Sequence, residues 1–63
     1  MSIGYRFYLL QGDHFVAVET CTCPNDADAL LEADAVLQAS IHSAVEVWNG
    51  ARCVGILSKP AEP

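Results

Sequence analysis

The sequence predicts an α+β domain of order ββαββ, one four-stranded antiparallel sheet with a single helix packed on one face. Three observations carry this. Two alternating apolar runs flank Gln11-Gly12-Asp13, and two more flank Asn49-Gly50. Between the pairs, Pro24-Asn25-Asp26 introduces a stretch whose alanines and leucines recur at helical spacing.

The first strand is expected over Ile3 to Leu10, with Tyr5, Phe7 and Leu9 on one face and Arg6, Tyr8 and Leu10 on the other. Gly12 supplies the turn, because glycine takes positive φ without a Cβ clash. The second strand runs from His14 to about Thr22. Val16 and Val18 share a face with His14 and Thr20, while Phe15, Ala17, Glu19 and Cys21 share the other. Pro24 has no N–H to offer a ladder and ends this strand.

Asn25 or Asp26 then caps a helix of about Asp26 to Ser40, with Asp28 three residues after Asn25 in a short-chain variant of the capping box. Asp26, Asp28 and Glu32 suit the positive pole of the helix dipole. Ala27, Leu30, Ala33, Leu37 and Ile41 form the expected buried stripe. His42-Ser43 connects to a third strand, Ala44 to Trp48. Asn49-Gly50 is expected to form a type I′ turn, since both central residues then need positive φ. Ala51 to Leu57 returns as the fourth strand. With residues 49 and 50 as the loop, Val45, Val47, Val54 and Ile56 face the helix, and Ala44, Glu46, Trp48 and Cys53 face away.

The 63 residues suffice for one small domain, expected over 1–58, with 59–63 as a flexible tail. Apolar residues are 52% of the chain and charged residues 17%, a composition that excludes disorder. A net charge of −5 argues against nucleic acid and against an anionic membrane surface, both of which call for clustered Lys and Arg. No apolar run reaches the roughly 20 residues of a membrane helix, and the first residues carry no signal-peptide pattern. Three cysteines suit a reducing compartment better than a disulfide scaffold, so a cytoplasmic location is expected.

The face away from the helix carries the behavioural signal. Arg6, Tyr8, Leu10, Phe15, Ala17, Glu19, Cys21, Glu46, Trp48 and Cys53 are expected there, far more apolar than an ordinary solvated sheet face. Self-association as a homodimer, face to face or edge to edge, is expected, with Tyr8, Leu10, Phe15, Ala17 and Trp48 as the contact residues, and would also relieve the small core.

No constellation calls for an enzyme. Cys21-Thr22-Cys23 could turn two thiols the same way, with Cys53, His14 or His42 as further donors, but the C-x₂₋₄-C pairs of zinc sites are absent. Neither histidine is tied to a nucleophile by a motif. Asp26, Asp28, Glu32 and Asp34 lack the calcium-loop pattern and read as a solvated helix face. The expectation is therefore no catalytic residue, no metal and no cofactor.

Three segments carry a resemblance: Tyr5-Arg6-Phe7-Tyr8-Leu9-Leu10, Asp28-Ala29-Leu30-Leu31-Glu32-Ala33 and Val45-Glu46-Val47-Trp48-Asn49-Gly50-Ala51-Arg52. The chain resembles short uncharacterised bacterial proteins with an aromatic first strand and a V-E-V-W-[DN]-G-x-R hairpin. That resemblance implies a stand-alone α+β domain with no assigned activity. Through the opening hairpin and the Asp28-Ala29-Leu30 helix start, it is more distantly similar to HicB-type antitoxin domains. This second likeness implies an acidic protein that masks a basic partner. A thiol-based metal or redox protein using Cys21, Cys23 and Cys53 is the third reading of the chain.

Overall fold

The computed structural model describes residues 2–59. It contains β1 (Ile3–Gln11), β2 (His14–Cys23), α1 (Asp26–Gln38), β3 (Ala44–Asn49) and β4 (Arg52–Ser58). The strands form one antiparallel sheet in the order β2-β1-β3-β4, with α1 on one face. The ββαββ architecture is as the sequence predicts.

β1 is central because both of its faces are apolar. Tyr5, Phe7 and Leu9 are buried on the helix side, and Tyr8 and Leu10 are half-buried on the other. The core comprises these three residues, Cys23, Val45, Val47 and the helix residues Ala29, Ala33 and Leu37. Ala29, Ala33 and Leu37 lie four residues apart and form one stripe. Two small residues in that stripe bring the helix axis close to the sheet.

The stripe is rotated from the expected one. Ala27 is exposed, and Ile41 lies beyond the helix at 88% exposure. Asp26, rather than Ala27, turns toward the sheet, where it accepts hydrogen bonds from Tyr5 and Arg52. Asn25 is the N-cap, its side chain accepting from the Asp28 N–H at 2.8 Å. At the other end the Ser40 hydroxyl donates to Leu37 O, closing the helix before Ile41 can stay in phase.

Two β-bulges alter which side chains face the helix. In the first hairpin Gln11 pairs with His14 and Leu10 with Phe15, but Leu9 pairs with Ala17, so Val16 is the extra residue. A one-residue slip reverses every side chain beyond it. Val18 and Thr20 therefore point away from the helix, while Ala17, Glu19 and Cys21 point toward it, the reverse of the expected assignment. In the second hairpin Trp48 pairs with Cys53 and Val47 with Gly55, so Val54 is the extra residue. Leu57 and Gly55 thus face the helix and Ile56 faces away, again opposite to expectation. Val54 still packs against the core.

At Gly55 a helix side chain presses close on the sheet. A Cβ there would lie 3.1 Å from Leu30 Cδ2. Both turns place glycine first, with φ of +63° at Gly12 and +60° at Gly50, and no other residue type among those described has positive φ. The second turn consequently has Gly50-Ala51 as its loop, with the type II′ pattern in place of the expected type I′.

Ser43 ties the far end together. Its N–H and hydroxyl both donate to Leu10 O, and its hydroxyl accepts from the Gly12 N–H at 3.0 Å. Its carbonyl accepts from the Lys59 N–H at 2.9 Å. Lys59, the first residue of the expected tail, also reaches Ser40 O through Nζ. The remainder of that tail, 60–63, lies outside the described residues.

Candidate functional site: the open sheet face

The face away from α1 is read directly from the register. One row across it holds Thr20, Arg6, Trp48 and Cys53; the next holds Val18, Tyr8, Glu46 and Ile56; the third holds Phe15, Leu10, Ala44 and Ser58. Of the five contact residues expected from sequence, Tyr8, Leu10, Phe15 and Trp48 share this face. Ala17 does not, because the Val16 bulge turns it to the helix side. The same bulge removes Glu19 and Cys21 and adds Val18, and the Val54 bulge adds Ile56. The net change makes the face more apolar than expected.

Several of these residues are open to solvent although large and apolar: Phe15 is 61% exposed, Val18 55% and Ile56 63%. The Tyr8 and Phe15 rings meet edge to face, with centroids 5.8 Å apart and planes at 71°. Edge-to-face contact is a favoured aromatic geometry and holds both rings in fixed positions. Tyr8, Phe15, Trp48 and Gly50 line a shallow open groove. The Trp48 indole N–H donates to Glu46 Oε1 at 3.1 Å, which fixes the ring and satisfies its one polar atom.

The charges are segregated. The open face carries Arg6 and Glu46, one of each sign. On the helix side lie Glu19, Asp26, Asp28, Glu32 and Asp34, countered there by Arg52. The apolar face is thus close to neutral even though the chain is acidic.

A polar cluster on the helix side was not visible in the sequence. The Tyr5 hydroxyl donates to Asp26 Oδ1 at 2.7 Å, and Arg52 reaches Asp26 Oδ2 at 3.1 Å. Tyr5 is pushed up to about 12, first by the bond to Asp26 and then by burial. The bond from Tyr5 and that from Arg52 hold the Asp26 carboxyl below its ordinary range. The available signal was a tyrosine on the buried face of a strand, whose hydroxyl needs a partner. The cluster joins the start of α1 to β1 and β4, and its three members satisfy one another.

The thiols do not converge. Cys21 and Cys23 face the helix side of β2, with Sγ atoms 3.7 Å apart. Cys53 is exposed on the opposite face of β4, the other edge of the sheet. Among the described residues no group of three or more His, Cys, Asp or Glu side chains is placed to hold a metal ion. His14 is exposed at the first turn, and His42 precedes Ser43 with its Nδ1 atom buried and unpartnered. No described helix is long and apolar enough to cross a membrane. No family model, curated protein or solved structure matches the chain.

Proposed function

We propose that this chain is a non-catalytic binding or structural domain that pairs with a second copy of itself through the open sheet face. The observation that carries this reading is the combination on one surface of exposed Phe15, Val18 and Ile56 with a near-neutral charge pair. Glu19, Asp26, Asp28, Glu32 and Asp34 lie on the other side, so two open faces meet without repulsion from these carboxylates.

The size of the face limits the area that pairing can bury. Four strands about 4.8 Å apart and about six residues long give a face of roughly 400 Å² in plan. A standard interface takes about 800 Å² of accessible surface from each partner, so pairing falls at the weak end of specific association. Weak specific association of this kind corresponds to a dissociation constant of about 1–100 µM, equivalent to about −8 to −5.5 kcal/mol. A two-fold arrangement with the strands of the two copies crossing near a right angle sets each Arg6 over the other copy's Glu46.

Sedimentation equilibrium tests this. The wild-type protein is expected to pass from monomer to dimer across that range. Ile56→Lys, a change at a position already 63% exposed in the monomer, is expected to remain folded and monomeric. Arg6→Glu alone weakens the dimer, and Arg6→Glu with Glu46→Arg restores it. A wild-type protein that stays monomeric to about 1 mM, where association is worth no more than about −4 kcal/mol, overturns the proposal.

A further inference from the structure

The close approach of Cys21 and Cys23 is used by nothing described so far. They are two apart on a strand, so both side chains leave β2 on the same side and Thr22 points to the other. Their Sγ atoms are 3.7 Å apart. Cys23 is buried, whereas Cys21 is half-exposed on an edge strand. Cys21 turns its thiol to the helix side, away from Arg6, Thr20 and Thr22 on the open face.

We propose that Cys21 and Cys23 form a reversible thiol–disulfide pair, with Cys21 as the entry thiol and Cys23 as the resolving thiol, toward small-molecule disulfides. The half-exposed position of Cys21 on the edge strand admits a small molecule to its sulfur from the helix side. Cys23 is out of reach of such a molecule but not of Cys21.

The exchange balances in two steps. The Cys21 thiolate attacks one sulfur of the small disulfide and forms a mixed disulfide. The small S–S bond breaks, and its other half leaves as a thiolate that takes up the proton Cys21 released. Cys23 then attacks the Cys21 sulfur, the mixed bond breaks, and the second small thiol leaves with the Cys23 proton. Two protein thiols and one small disulfide become one protein disulfide and two small thiols.

Strand geometry keeps the product reducible. Residues two apart in an extended strand have Cα atoms about 6.6 Å apart, near the upper limit of about 6.8 Å for a disulfide. The oxidised strand must therefore contract just before Pro24 and the helix cap. Such strain favours return to the thiols. Burial, then the bond to Cys21, raises the Cys23 thiol above its ordinary range and favours its protonated form.

The test uses the full chain carrying Cys53→Ser, which removes the exposed third thiol. Incubation with oxidised glutathione is expected to take the free thiols from two to none and to lower the intact mass by two hydrogens. Dithiothreitol should restore both. Adding Cys23→Ser should instead trap a glutathione adduct on Cys21. A stable glutathione adduct with Cys23 still free in the Cys53→Ser protein, or no reaction at all, overturns the proposal. These readouts do not depend on whether the protein pairs with itself.

Discussion

Deleting Val16 removes one residue from the middle of a strand, a change that ordinarily destroys a small sheet. Here it should be tolerated. Leu10 pairs with Phe15 and Leu9 with Ala17, leaving Val16 without an opposite residue. Its deletion closes the ladder and leaves every other pair in place. The loss is the buried half of a side chain that is 49% exposed, about 1 kcal/mol from a full burial value of about 1.5–3 kcal/mol. The gain is a regular ladder in place of an interrupted one, about 0.5–1.5 kcal/mol for one hydrogen bond. The net change lies within about 1 kcal/mol, or roughly 4–8 °C in Tm for a domain this small. Had Val16 stood opposite Leu9 in an unbroken ladder, the same deletion would turn all residues from Ala17 to Cys23 onto the wrong face. That exceeds what a 63-residue domain can absorb from a total of about 3–9 kcal/mol. Circular dichroism melts, with an amide correlation spectrum to confirm the fold, measure the difference. Deletion of Tyr8, in a strand paired on both sides, serves as the intolerant control. A Val16-deleted chain that is unfolded at 25 °C (the reference temperature, about 298 K, for these magnitudes) would refute the bulge argument.

Other expectations follow from the same contacts. Leu37→Ala, at a fully buried position in the helix stripe, should lower stability by about 2–5 kcal/mol and leave much of the protein unfolded in a chemical denaturation series. Ser43→Ala removes the hydroxyl that bridges Gly12 N–H and Leu10 O, for a loss of about 0.5–1.5 kcal/mol and faster amide exchange at Gly12. Tyr5→Phe probes the polar cluster by pH. The Tyr5 pKa is raised on folding, so the wild type's advantage is complete below about pH 10 and disappears as pH rises through about 12. The Asp26 pKa is lowered on folding, so at the acid end the advantage is present above about pH 4 and is lost as pH falls through the folded-state value. Melts of both proteins across pH check both windows, and parallel curves at all pH values would contradict the cluster's role.

The element order was legible because each hairpin, turn and cap has its own local chemistry. Alternation in Tyr5–Leu9 and Val45–Val47 put the right residues under the helix. What could not be read were the bulges. Nothing in the local propensities of Val16 or Val54 marks them as extra residues. The choice is made by tertiary packing, which brings Cys23 and Leu57 to the core side. One undetected slip in each hairpin misplaced Val18, Ala17, Cys21 and Ile56 while leaving the central strands correct. The helix stripe erred for a related reason. Asp26 looks like a surface cap in sequence, and only the Tyr5 hydroxyl arriving from β1 turns it inward. The open face survived these errors because its centre, Tyr8, Leu10 and Trp48, belongs to β1 and β3.

The central claim is that a second copy docks on that face, and isotope-filtered NMR on a mixture of labelled and unlabelled protein at about 1 mM, above the expected dissociation constant, tests it most directly. The account predicts intermolecular contacts from the Trp48 indole, the Tyr8 and Phe15 rings and the Ile56 methyls. Contacts confined to Leu31 and Ile41 on the opposite side, or none at all, would contradict it.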